Sequence, residues 1–295
     1  MGYMHISNLY SVPEVLELLK DCYAMEKIHG TSAHIRWSPT PEKPGEGQVH
    51  LHHGGANKEQ FDALFDTEAF KAKIIESGLA EKPVVFFGEA YGGKMQAMSK
   101  TYGKELKFVV FDVQIGGTWL DVPNANELAT KFGFDFVAWE KVPCTLEALN
   151  AERDRPSRQA KKNGIMEDMP AEGIVIRPIH ELNFKNGTRV IAKHKRDEFM
   201  ETAHRKEVDP AKREMLLNAA AIAKEWVVPM RLAHVLDKLG NPEDIKATGK
   251  VVQAMQEDVE REGQGFIQWN DTVAKAVGKA AALLFKQKLQ EKLKG

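Results

Sequence analysis

Up to about residue 195 the apolar positions come in short runs that are β-branched or aromatic and punctuated by glycine and proline. Ala33-His34-Ile35-Arg36-Trp37, Val84-Val85-Phe86-Phe87, Phe108-Val109-Val110-Phe111 and Gly173-Ile174-Val175-Ile176 are the clearest. Runs of this length, bounded by turn residues, predict strands. Between them, Pro13 to Lys20, Lys58 to Phe65, Glu68 to Glu76 and Asn126 to Phe132 carry helical patterns. Strands and helices in this irregular order, with no repeat period, predict an α+β domain of mainly antiparallel sheets with flanking helices.

Beyond about Glu198 the strand-like runs stop. Helix starts are predicted at Asp209-Pro210, Asn241-Pro242-Glu243 and Asn270-Asp271, each joining a capping residue to proline or to a helical pattern. The expected organisation is a first domain over residues 1–199 and a small all-α C-terminal domain over residues 200–295. In the last predicted helix, Asn270 to Lys294, one face carries Val273, Val277, Ala280 and Leu284, and another carries Lys275, Lys279 and Lys286. The stretch Ala151 to Met169, rich in Arg, Lys and Asp, reads as a solvated helix-loop insertion within the first domain.

With 295 residues the chain can bury a core without disulfide or metal staples. Its two cysteines, Cys22 and Cys144, lack CxxC spacing and fit a reduced, intracellular compartment. No apolar run reaches the length of a membrane span, and the first twenty residues lack the layout of a signal peptide. A cytoplasmic, monomeric protein with no membrane partner is expected. Net charge is −1, with 16 basic against 14 acidic residues after residue 200 and 25 against 28 before it. A grip on a polyanion must therefore come from local patches and bound metal, because the overall field is too weak to steer one.

The candidate chemistry begins at Glu26-Lys27-Ile28-His29-Gly30-Thr31, a lysine between strand-like stretches followed by a glycine that permits a tight turn. Four further segments follow in order: Phe87-Gly88-Glu89-Ala90-Tyr91-Gly92, Phe111-Asp112-Val113 with Trp119-Leu120, Glu172-Gly173-Ile174-Val175-Ile176-Arg177, and Ile191-Ala192-Lys193-His194-Lys195. In this set and order, residues 26 to 195 resemble the covalent nucleotidyltransferases, which comprise DNA ligases, RNA ligases and mRNA capping enzymes. His29 stands where DNA ligases and capping enzymes usually have aspartate, and that spelling resembles the RNA ligase branch. Within it the likeness is to the nick-sealing phage enzymes of double-strand type and the trypanosome editing ligases. A helical tail in place of a β-barrel agrees with that branch.

The resemblance implies a nucleotidyltransferase (adenylation) domain and an ATP-dependent RNA ligase that works through a lysyl-AMP intermediate with Mg2+ or Mn2+. Lys27 would carry AMP. It can attack phosphorus only with a neutral amine, so its pKa must fall from about 10.4 toward neutrality. Lys193 and Lys195, alternating onto one strand face beside the triphosphate, would favour that form and screen the phosphates. Glu172 would bind the divalent metal, directly or through water, and Gly173 would let the backbone pass near the nucleotide. Glu89 would receive the ribose hydroxyl. Phe111 would stack on adenine, or else fill the core like its neighbours. Glu26 and Ile28 flank the lysine in the nucleotide pocket, Glu26 selecting adenine through its backbone. His29 would hydrogen-bond a phosphate, orient Glu172 or brace the loop. Trp119-Leu120 matches a packing signature.

Two departures from the nick-sealing pattern stand out. Ser32 replaces an asparagine, and the strand His50-Leu51-His52-His53 through Lys58 lacks the arginine that holds a phosphate end, so His53 or Lys58 would substitute. His50 and His52 alternate onto one face, but with no further ligand set a zinc site is disfavoured against a phosphate contact or plain surface histidines. Lys275, Lys279 and Lys286 are either a solvated face or a phosphate contact. The expected partners are RNA ends or a nicked duplex, RNA/DNA hybrids included. The alternative is an ATP-dependent DNA ligase or a DNA 5′-adenylating enzyme.

Overall fold

The computed structural model describes residues 2–43, 45–204, 206–208 and 218–294. Contacts divide them into two bodies, residues 2–6 with 15–194, and residues 7–14 with 195–294. The chain thus parts after His194, near the expected boundary at residue 199, and Ser7–Asn8 (β1) falls in the second body.

The first body is built on two antiparallel sheets. Val15–Leu18 (α1) leads into Asp21–Lys27 (β2), Thr31–Pro39 (β3) and Gly47–His52 (β4), followed by Lys58–Asp62 (α2) and Thr67–Glu76 (α3). Val84–Gly92 (β5), Ser99–Tyr102 (α4), Leu106–Ile115 (β6), Thr118–Trp119 (β7) and Val122–Lys131 (α5) come next. Trp139–Pro143 (β8), Leu146–Arg153 (α6), Arg158–Lys162 (α7), Gly173–Pro178 (β9) and Ala192–Lys195 (β10) complete the order, the last residue of β10 being counted with the second body. One sheet runs β10-β9-β2-β8 and the other β4-β3-β5-β6-β7. All four predicted strand runs and all four predicted helical segments fall within or overlap observed elements.

Alternation explains which face is buried in β3 and β4, whereas β2, β5 and β9 are buried along most of their length. In β3, Ala33, Ile35 and Trp37 are fully buried; Ile35 and Trp37 meet Phe86, Phe70 and Ile74 in one core with Met25, Val109 and Val113, while Ala33 packs with Ala56, Phe61 and Ala90. Apolar groups at period two make that face the inner one. Capping residues set the helices: Asp66 accepts from the amides of Glu68 and Ala69, and Asp121 from that of Asn124, which starts α5 earlier than its apolar pattern suggests.

The stretch from Ala151 to Met169 is not a solvated insertion. Ser157, Gln159 and Ala160 are buried, and α7 packs inside the body with Ser157 as its cap. Its charged residues misled the reading, because Arg158, Lys161 and Lys162 form the outer side of a helix whose first turn is internal.

A buried charge cluster ties β6 to β9. Asp112 accepts from Arg177 Nη1 at 2.9 Å, Arg189 Nη1 at 2.7 Å and the Tyr3 hydroxyl at 2.7 Å. Arg177 also donates to the Leu120 carbonyl at 2.7 Å, and the Arg189 guanidinium lies 4.1 Å from the centre of the Trp119 ring. The packing role expected of Trp119-Leu120 is what the structure shows.

The second body consists of helices, Ala219–Trp226 (α8), Pro229–Lys238 (α9), Thr248–Glu262 (α10) and Asp271–Lys294 (α11), with residues 7–14 packed among them. Trp226, Leu232, Val235, Val251, Met255 and Val259 form its interior. Asn270 caps α11 as expected, accepting from the amides of Thr272 and Val273. Asn241 does not start a helix: its φ is +54° and its amide donates to the Leu236 carbonyl, which closes α9, while α10 begins at Thr248. The proposed start at Asp209-Pro210 lies outside the described residues. On α11 the buried face is Val273, Val277, Ala281 and Phe285, so the apolar stripe turns away from Ala280 and Leu284 along the helix.

Asp112→Ala would leave two buried guanidinium groups without their shared carboxylate, a loss of about 3–5 kcal/mol for breaking a buried pair on one side. Urea unfolding should show that loss, with Asp112→Asn costing less because it keeps the shape and part of the hydrogen bonding.

Candidate active site

The first predicted segment ends β2 and turns into β3, so the lysine stands where the chain leaves one sheet for the other. Lys27 pairs with Gly173 across the β2–β9 register, and the Glu172 amide donates to the Lys27 carbonyl at 3.2 Å. Two residues separated by 145 positions are thereby fixed side by side. Lys27 Nζ donates to Glu172 Oε2 at 2.9 Å, with Glu172 almost wholly buried and Lys27 partly open to solvent. Gly173 has φ +148°, a value that side-chain-bearing residues rarely adopt, so glycine there serves the backbone path beside the carboxylate.

His29 is buried, and its Nδ1 lies 3.2 Å from the same Glu172 oxygen; protonated there, the ring donates to the carboxylate. The ring thus lies against the carboxylate that Lys27 also contacts. The backbone amide of His29 donates to the Tyr102 hydroxyl at 3.3 Å. Gly30 follows at a point where a Cβ would sit 2.2 Å from the Ala90 carbonyl oxygen, so no other residue fits without moving β5. The Gly30 amide donates to Glu89 Oε1 at 3.1 Å, and Ser32 pairs with Glu89 across β3 and β5.

The Glu26 side chain has a definite place. Its carboxylate accepts from Ser157 Oγ at 2.5 Å and from the amides of Arg158 at 3.0 Å and Gln159 at 3.1 Å, at the start of α7. Burial pushes this carboxyl above its ordinary range, and those hydrogen bonds oppose the shift. Gln159 also donates to the Tyr91 hydroxyl at 2.8 Å, and Tyr91 packs edge-on against Tyr102. Ile28 is buried in the core beside these rings. Ser157, Gln159, Tyr91 and Tyr102 were missed in the sequence; only Ser157 carried a signal, as a capping residue before a short helical run.

Other expected residues are spread more widely. Lys193 is nearly buried in β10. Lys195 directs its ammonium to Glu201 within the second body. Phe111 is partly buried and packs edge-on against Tyr3 at 4.9 Å between ring centres. His53 lies just past the end of β4, and Lys58 is exposed and paired with Asp62 on its own helix. Lys275, Lys279 and Lys286 are exposed on α11.

The model for the RNA ligase family matches residues 20–195. The chain belongs to the RNA ligase family. No curated protein matches it. Among solved structures, a variant of Naegleria gruberi RNA ligase with ATP and Mn is similar, at 12% identity and a TM-score of 0.49, covering 68% of this chain and 57% of that one. A second variant, with AMP and Mn, and the enzyme with PPi match over the same shares, at 14% and 15% identity and TM-scores of 0.47 and 0.45. The chain thus spans a little over half the length of those solved chains, and the family match covers the segments that build the Lys27 site.

Beside this RNA ligase-family site, the polar face of β3 and β4 pairs His34 with His52, whose rings stack at 4.9 Å, and Arg36 with His50. Burial, then the neighbouring His52, holds His34 down to about 4. A histidine neutral in the folded state and ordinary when unfolded favours folding above the unfolded value near 6.5, and that contribution disappears as pH falls toward 4. His34→Gln should therefore flatten the loss of stability between pH 6.5 and 4, read as urea midpoints across that range; an unchanged slope would place the titration elsewhere.

Proposed function

We propose that the protein is an ATP-dependent RNA ligase of the nick-sealing branch, which joins a 5′-phosphate end to a 3′-hydroxyl end. The observation that carries this reading is the pairing of Lys27 with Glu172 and His29 in a chain of this family. Lys27 Nζ attacks the α-phosphorus of ATP, an N–P bond forms and pyrophosphate leaves. A 5′-phosphate oxygen then displaces Lys27 and takes AMP. The 3′-hydroxyl finally attacks the activated 5′-phosphate, the phosphodiester forms and AMP leaves.

Each side chain has a task that follows from its surroundings. Lys27 is the attacking nitrogen, and its contact with Glu172 holds that nitrogen at the site. His29 steadies the Glu172 carboxylate beside it, and Glu89, whose carboxylate accepts from the Gly30 amide, takes the ribose hydroxyl in this reading. Glu26 is locked by α7, which holds the backbone beside Lys27 for the adenine. Phe111 offers its ring as the adenine stack. Lys193 and Lys195 meet the phosphates. A buried carboxylate beside the nucleophile suits Mg2+ or Mn2+, since these ions accept one protein oxygen together with phosphate and water oxygens. Glu172 would hold the ion, whose contribution when bound is to neutralise phosphate charge. RNA would be gripped by Lys275, Lys279 and Lys286 on the helical body and by His53 and Lys58 on the first. The His29 spelling favours RNA over the DNA ligase alternative.

Incubation with α-labelled ATP and Mg2+, then denaturing electrophoresis, should leave label on the wild-type chain and none on Lys27→Ala, while Lys27→Ala still seals an end that already carries AMP. An adduct at wild-type yield in the variant would remove Lys27 from the role. Replacing Lys275, Lys279 and Lys286 together by Gln should leave the adduct intact and weaken nicked-duplex binding. Each lost phosphate contact should reduce the salt slope by about one unit. An unchanged slope would move the polyanion contact elsewhere.

A further inference from the structure

Lys195 closes β10, two residues beyond Lys193, and its ammonium is already bound. Nζ donates to Glu201 Oε1, and the two side chains are only 3% and 7% exposed. Glu201 has further partners, His234 and Arg231. His234 Nδ1 lies 2.9 Å from the same oxygen, and Arg231 Nη1 lies 3.6 Å from the other. Arg231 Nε donates to the Glu201 carbonyl at 3.0 Å and to the Trp226 carbonyl at 2.9 Å. Arg231 is fully buried and pinned in turn by Asp258 at 2.5 Å. The carboxylate therefore belongs to a rigid part of the helical body, whereas the lysine has a flexible four-carbon stem.

We infer that Glu201 is a positioning residue that competes with the nucleotide's phosphates for Lys195. This rests on the reading of Lys195 as a phosphate contact. A lysine ammonium is a compact charge, and a full ionic contact with phosphate is gained by giving up the one with Glu201. Glu201 does not follow it, because Arg231 and His234 hold the carboxylate in place and remain as its partners when the lysine leaves. Phosphate affinity is then lower than an unengaged lysine would confer, by the fraction of molecules in which Lys195 is released. The same competition acts after Lys27 has taken AMP: as Lys195 returns to Glu201, pyrophosphate loses a contact and its departure is favoured.

The test is binding of magnesium pyrophosphate by calorimetry to wild type, Glu201→Gln, Lys195→Met and the double variant. Glu201→Gln should bind about tenfold tighter, the size of one charge-assisted contact no longer opposed, and the double variant should show no such gain. Glu201→Asp, which keeps the charge on a shorter arm, should fall between. In adenylylation, Glu201→Gln should lower KM for ATP without a matching rise in kcat, a split that loss of structure alone does not give. A folded Glu201→Gln that binds as wild type or more weakly overturns the inference, as does a gain that persists without Lys195. Should the replacements fail to fold, the wild-type protein decides: the side-chain ammonium resonance of Lys195 should shift when magnesium pyrophosphate is added, and a resonance that does not move overturns the proposal. Failure of the underlying function is distinct, since a wild-type chain that takes no label from ATP fails that reading before Glu201 is touched.

Discussion

Lys27 and Glu172 stand together because β2 and β9 pair in one register, with Glu26 opposite Ile174 and Lys27 opposite Gly173. Side chains alternate along a strand, so a slip of one residue would turn the lysine to the opposite face from the carboxylate. What prevents the slip is burial. Cys22 and Ala24 on one face of β2, Met25 on the other, and Ile174 and Ile176 on β9 are all buried, so a slip would force close-packed side chains on both faces to repack. The contact between Lys27 and Glu172 thus depends on the packing of apolar residues elsewhere on the two strands.

The second sheet reaches the same place through the turn at His29 and Gly30. Gly30 lies so close to the Ala90 carbonyl that β5 and the turn cannot separate or approach independently, and the Gly30 amide holds Glu89 on the far side of that contact. Around this junction the body uses buried charge sparingly and always with several partners. Asp112 receives three side-chain donors and the Val113 amide, Glu26 three donors, and Glu172 both Lys27 and His29. A buried carboxylate with one donor would cost several kcal/mol, whereas one with two or three can hold distant elements in a fixed relation. Asp112 in this way joins the sheets, and Glu172 holds Lys27 and His29 at the turn between β2 and β3.

Much of this was legible in the sequence. The strand runs, the helical tail and the ordered segments from Glu26 to Lys195 depend on local periodicity and short spellings, which survive in a linear string. The failures share a different cause. Ala151 to Met169 looks solvated because its charges are counted, while the three groups that matter there are a serine and two backbone amides, and amides leave no trace in a sequence. Asn241 looks like a helix start because asparagine serves equally as a cap and as a residue with positive φ, and only the bond to Leu236 decides between them. Phe111 is where expectation and structure meet without separating: its ring lies partly buried against Tyr3.

Lys195 illustrates why a strand pattern is insufficient to place a charge. Alternation puts Lys193 and Lys195 on the same side of β10, which is all that spacing can say. Where the second ammonium rests is set by Glu201, six residues later, and by an arginine and a histidine on α9 that hold the carboxylate. None of these three has a motif around it. A charge placed by its local strand but neutralised from another part of the chain is answerable to both, and a lysine bound in this way is already paired with a carboxylate before any phosphate reaches it.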